Sequence, residues 1–118
     1  MKREARKHLC SGLLATAALS VTVLLAAQGK QTFTGKITDS ECPTGDHSAM
    51  QMGPTDAECT IACVEVHGAT FVLYDGKHSY QLSDQQTPRK FAGQKVTVTG
   101  TLDSKTSTIH VDSIVAAK

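Results

Sequence analysis

Apolar and polar residues alternate with the two-residue repeat of a β-strand in five separate stretches of this chain. From Gln31 to Asp39, Phe33, Gly35 and Ile37 fall on one side and Thr32, Thr34, Lys36 and Thr38 on the other, the pattern of a half-buried strand. Gly35 in the middle of that run predicts a bulge or a sharp bend. The alternation returns over residues 70–74, and Tyr74-Asp75-Gly76-Lys77 signals a hairpin with a two-residue Asp-Gly loop. The return strand, residues 78–82, sets His78, Tyr80 and Leu82 on one face. Residues 95–102 alternate again, with Val96, Val98, Gly100 and Leu102 inward and Thr97, Thr99 and Thr101 outward. Beyond a polar turn, Ile109 and Val111 continue the pattern, and Ser113-Ile114 breaks its parity as a bulge near a strand end would.

Two segments carry helical signals instead. Thr55-Asp56-Ala57-Glu58 is a capping box, in which the Thr55 hydroxyl accepts from the Glu58 amide while Glu58 reaches back. Gly68 follows His67 as a C-cap. Between them Cys59, Ala62, Cys63 and Val66 form one stripe, with Ala57, Ile61 and Val64 on the other side, which predicts a helix that buries most of its surface. Cys42-Pro43-Thr44-Gly45 and Gly53-Pro54 frame the remainder of this region as turns. Further on, Thr87 as N-cap, Pro88 in the first helical position and Gly93 as the stop predict a short helix. The predicted fold is therefore mainly β. It is a small five-stranded OB-like barrel with a Cys-bearing helical insertion, residues 40–69, between strands 1 and 2 and a short helix between strands 3 and 4.

The strand sequences carry a resemblance. Thr34-Gly35-Lys36-Ile37, Tyr80-Gln81-Leu82-Ser83-Asp84, residues 93–100 and Ile109-His110-Val111-Asp112-Ser113-Ile114 resemble the bacterial periplasmic OB-fold (BOF-like) proteins, small exported domains linked to stress tolerance. More closely, the chain is similar to uncharacterised exported bacterial proteins that join such strands to a cysteine after Asp39-Ser40 and a Cys59-x-x-x-Cys63 helix. The resemblance implies an OB fold in the bacterial envelope and transfers no catalytic residue. The insertion between Cys42 and Cys63 is not part of the BOF-like pattern.

The N-terminal segment agrees with export. Lys2, Arg3, Arg6 and Lys7 precede a run of Leu, Ala and Val that ends in Ala26-Ala27-Gln28-Gly29. A basic head, an apolar middle and a small-residue exit describe a signal peptide over residues 1–29, cleaved before Lys30. The alternative is an uncleaved membrane anchor, since the run approaches the ~20 residues that span a bilayer. Cys10 belongs to this segment. Residues 30–118 then form the barrel domain, with eight Lys/Arg, ten Asp/Glu and no Trp. That balance lacks the basic footprint of a nucleic-acid binder. The expected location is periplasmic or secreted, where disulfides persist.

Candidate chemistry is concentrated in the insertion, where Cys42, His47, Met50, Met52, Cys59 and Cys63 lie within one short stretch. Cys59 and Cys63 are one helical turn apart and share a face. With Cys42 and His47 they would complete a tetrahedral zinc set. Met50 or Met52 in place of His47 would soften it toward copper as Cu(I), and His67, one turn beyond Cys63, is a further candidate ligand. The competing use is a structural disulfide between Cys42 and Cys59 or Cys63, worth typically ~2–4 kcal/mol. A bond between Cys59 and Cys63 themselves fits poorly on one helix. Three cysteines leave one over, which keeps thiol-redox chemistry as a third class. His78 and His110 read as surface or barrel-mouth residues, and Asp39 and Glu41 as solvated charges at a strand edge. No Gly-x-Ser-x-Gly, His-Glu-x-x-His or phosphate-cradling glycine loop occurs. The expected function is non-catalytic: a metal-binding envelope protein, or a disulfide-stapled module with another partner.

Overall fold

Five strands close into a ring in the order β1-β2-β3-β5-β4 in the computed structural model, which describes residues 29–118. The expected signal peptide and Cys10 therefore lie outside the described residues, apart from Gly29. The strands are β1 (Gln31–Asp39), β2 (Phe71–Tyr74), β3 (Ser79–Leu82), β4 (Lys95–Asp103) and β5 (Thr108–Ala116). Helix α1 (Asp56–His67) lies between β1 and β2, and a 3₁₀ turn, Thr87–Phe91, between β3 and β4. All neighbours are antiparallel except β3 and β5, which meet in parallel through Gln81–Thr108 and Leu82–Ile109. The expected five-stranded OB-like barrel, with its insertion and its short helix, is what the chain forms. Among the described residues no helix is long and apolar enough to cross a membrane.

Closure depends on β1, which serves two neighbours. Its first half pairs with β4 and its second half with β2, and Lys36 stands opposite both Lys95 and Tyr74. Gly35 sits at this changeover. A Cβ there would lie 2.4 Å from the Tyr74 carbonyl oxygen, so the bend predicted from the sequence is a close backbone approach that only glycine permits. The parity break in β5 is also present. Thr99 pairs with Ser113 but Gly100 with Val111, which leaves Asp112 as the extra residue of a bulge.

Five of the inward residues named from alternation (Ile37, Leu82, Val96, Val98 and Ile109) fall in the core. Ile37, Phe71, Leu73, Leu82, Val96, Val98, Ile109 and Ile114 are buried together, each worth roughly 1.5–3 kcal/mol when fully removed from water. Phe33 and Tyr80 close one end, their ring centroids 5.4 Å apart.

Three local expectations need correction. The hairpin tip is Gly76-Lys77 rather than Asp75-Gly76, because Tyr74 pairs with Ser79 and the Asp75 amide donates to the His78 carbonyl. Asp75 keeps its carboxylate for the Lys77 and His78 amides at 2.8 and 2.6 Å, a local turn that outcompetes the two-residue Asp-Gly loop. Thr87 opens the 3₁₀ turn instead of capping it, and the Asp84 carboxylate accepts from the Gln86 and Thr87 amides. Helix α1 buries less than expected: Cys59, Thr60 and Cys63 are buried while Val66 is 69% exposed. Only one flank meets the barrel, where Ala57, Ile61 and Val64 pack on the core. The turn at Gly93 abuts the helix start, since a Cβ there would come within 2.9 Å of the Ala57 nitrogen.

Candidate functional site

The insertion leaves and rejoins the barrel at a tied neck. The Ser40 amide donates to the Thr70 carbonyl at 2.9 Å, and the Thr70 amide donates to the Ser40 hydroxyl at 3.0 Å. Just inside that neck, at the last position of β1, Asp39 is fully buried. Its Oδ1 accepts from the backbone amides of Glu41 and Cys42, both at 3.0 Å. Those two bonds curl the chain back as it leaves the strand. The Thr38 hydroxyl donates to the Cys42 carbonyl at 2.8 Å and fixes the same turn. Cys42, 6% exposed, is thereby folded over the end of the strand.

His47 enters from the next loop and is nearly as buried as Cys42. Its Nε2 lies 3.0 Å from Asp39 Oδ2 and 3.3 Å from the Thr60 hydroxyl on α1. Its Nδ1 lies 3.3 Å from Asp56 Oδ1. Asp56 is paired in turn with the Lys36 ammonium. The Lys36 hydrogen bond and then the His47 contact hold the Asp56 carboxyl below the usual carboxylate range. The imidazole therefore stands between two carboxylates. A neutral ring carries one N–H, so one nitrogen faces a carboxylate with its lone pair unless a proton or a metal ion sits there.

Asp39, Cys42 and His47 each offer one ligand atom, and these three atoms lie within 4.8 Å of one another. Carboxylate oxygen, thiolate sulfur and imidazole nitrogen are all zinc ligands. In a tetrahedral site at bond lengths of roughly 2.0–2.3 Å, such atoms stand about 3.3–3.8 Å apart. The Asp39–His47 contact, at 3.0 Å, is already inside that spacing, while the 4.8 Å limit of the group lies outside it. Burial first, then the charge of Asp39, pushes the Cys42 thiol above its ordinary value.

The residues named from the sequence thus divide. Cys42 and His47 join one group, and Asp39 completes it. Among the described residues that group does not extend to Cys59 or Cys63. These two pack with Ala69 in an adjacent cluster, against which Met50, Met52 and Val64 lie. Burial, followed by the charges of Asp39 and Cys59, pushes the Cys63 thiol up to about 12. Cys42, Cys59 and Cys63 are all free thiols. His67 is exposed in the last turn of α1, and His78 and His110 are exposed on the barrel. Asp39 overturns its sequence reading, since it is buried and paired rather than a solvated edge charge, whereas Glu41 is exposed as expected. The missed signal was parity: residues 33, 35, 37 and 39 share one face of β1. Asp56 and Thr60 carried no comparable signal.

A cleft of about 440 Å³ opens onto this region. His47 and Cys59 line it together with Asp46, Gln51, Thr55 and Asp56, so the cleft reaches one member of each cluster. Comparison with known proteins adds one family, described as a protein of unknown function (DUF5818), which matches residues 63–117, a little under half of the chain. That span runs from Cys63 through β5 and leaves β1, Cys42, His47 and Cys59 outside it. No curated protein and no solved structure matches the chain.

Proposed function

We propose that this protein is an exported, non-catalytic metal-binding domain, in which Asp39, Cys42 and His47 hold a borderline divalent cation of the zinc type at the end of β1. The observation that carries the reading is the mutual proximity of three buried ligand atoms of three different kinds. One oxygen, one sulfur and one nitrogen suit Zn²⁺ better than the all-oxygen preference of Mg²⁺ or Ca²⁺. The Asp56–His47 contact supports it further. A carboxylate on the far nitrogen of a ligating histidine fixes the ring and raises its basicity, and such partners accompany most metal-bound imidazoles. Three protein ligands leave a fourth position for water or a partner's ligand from the cleft. Export rests on the basic and apolar pattern of residues 1–29, and places the domain where metal ions are captured outside the cytoplasm.

Cobalt(II) tests the proposal, because thiolate ligation gives it a near-ultraviolet charge-transfer absorption. The protein purified with its thiols reduced binds one equivalent with that absorption, and zinc displaces it. Cys42→Ser and His47→Ala each abolish the signal. Binding no tighter in the wild type than in the doubly substituted chain overturns the proposal. So does protein purified without reductant whose intact mass is two daltons low, unchanged by chelators, and whose peptide map places Cys42 in the disulfide.

A further inference from the structure

Among the described residues, four sulfur atoms outside the Asp39–Cys42–His47 group remain to be explained. Cys59 and Cys63 occupy one face of α1, and the loop carrying Met50 and Met52 folds over them. This arrangement is more specific than a patch of core. The Cys59 thiol donates to the Met50 carbonyl at 3.1 Å, and the Met52 amide donates to the Cys59 sulfur at 3.4 Å. The backbone of the methionine loop is thus tied to the Cys59 sulfur on both sides. Cys59 also lines the open cleft, although only 1% of its surface is exposed. Cys59 therefore stands between the cleft and the methionine loop. A purely apolar role would be served as well by Leu or Val and would need neither the amide bond to sulfur nor the approach to the cleft.

We infer that Cys59 and Cys63, with the thioethers of Met50 and Met52, form a second site that takes a soft monovalent cation, Cu(I). The two thioethers tip the set toward Cu(I), since zinc takes its sulfur from thiolates and Cu(I) accepts both kinds. An N–H donated to a ligating sulfur from the second shell is the kind of contact that tunes such sites. Binding is a simple exchange: Cu⁺ bonds to the two sulfurs, both thiol protons leave to solvent, and the bis-thiolate complex carries one negative charge. No change of oxidation state occurs. The two sites share no ligand, so this inference stands whether or not the group at the end of β1 binds zinc.

The test is anaerobic titration of Cu(I) in competition with a colorimetric Cu(I) chelator. The Cys42→Ser/His47→Ala chain retains one equivalent of Cu(I) at wild-type affinity. Cys59→Ser/Cys63→Ser weakens that equivalent at least 100-fold. Met50→Leu/Met52→Leu keeps the volume of both side chains, so it folds, leaves Co²⁺ affinity unchanged and weakens Cu(I) about tenfold. X-ray absorption at the copper edge shows sulfur neighbours only. The inference is overturned if the Cys59/Cys63 variant keeps wild-type Cu(I) affinity, if the methionine variant leaves that affinity unchanged, if Cu(I) binding vanishes with Cys42 and His47, or if a nitrogen neighbour appears.

Discussion

Replacing Asp39 in two ways separates what holds the insertion in place from what it binds. The carboxylate is fully buried and makes three contacts at 3.0 Å, to the amides of Glu41 and Cys42 and to His47 Nε2. Asp39→Ala removes the acceptor for all three and leaves two backbone N–H groups without partners. Each orphaned buried donor costs about 1–3 kcal/mol, and the lost Nε2 contact about 0.5–1.5 kcal/mol more. These overlap, because water enters the space vacated, so a net loss of about 3–5 kcal/mol is expected. That is a large share of the ~5–15 kcal/mol available to a small domain. Asp39→Asn keeps the Oδ1 acceptor for both amides. Its new NH₂ faces Nε2, which accepts when the ring donates from Nδ1 to Asp56. Only charge assistance is lost, about 1–2 kcal/mol. Urea unfolding followed by far-ultraviolet circular dichroism, with chelator present, reads both values from midpoint and slope. Both variants lose a carboxylate ligand, so Co²⁺ affinity falls at least about tenfold in each. Equal destabilisation by Asn and Ala, or an Ala variant within about 1 kcal/mol of wild type, refutes the reasoning.

Three further outcomes follow from the same contacts. Binding of Co²⁺ displaces the Cys42 proton, which burial and then Asp39 hold above the ordinary thiol value. Affinity therefore rises about tenfold per pH unit for each proton released and keeps rising where an exposed thiol would level off; a flat response between about pH 6 and about pH 8 contradicts this. Thr55→Ala removes the hydroxyl that accepts from the Glu58 amide at 3.2 Å and lowers the unfolding free energy by about 1 kcal/mol, with Ser restoring it. Gly35→Ala drives a Cβ into the Tyr74 and Asp75 backbone and costs about 1–3 kcal/mol; a thermal midpoint equal to wild type would show that β1 does not bend there.

Alternation and turn chemistry made the barrel legible because most of the strand length has one wet face and one dry one, β2 excepted, where Phe71, Val72 and Leu73 are all buried. The bend at Gly35, the helix cap at Thr55 and, to within a residue, the bulge at Asp112 could all be located from local residues. The hairpin tip slipped by one residue because Asp75 uses its side chain to close the turn, a choice between two nearly equal local structures. Helix α1 was read as more buried than it is, since periodicity gives the direction of a face but not what covers it. At the site, the sequence named Cys42 and His47, which the fold brings together, and missed Asp39, which joins them. Asp39 lies on the inward parity of β1, yet a charge at a strand end suggests solvent unless its counter-groups are known. Those groups, His47 and the backbone of residues 41–42, reach it only through the folded loop.

The ring of strands is not equally strong all the way round. β4 and β5 share eight registered pairs, whereas β3 and β5 overlap by two. Breathing of the cylinder is therefore concentrated at that narrow lap, where amide protons lose protection first. The tied neck at Ser40 and Thr70 lies at the junction of β1 and β2, so the wall can part at its weakest joint while the sulfur-bearing appendage stays moored.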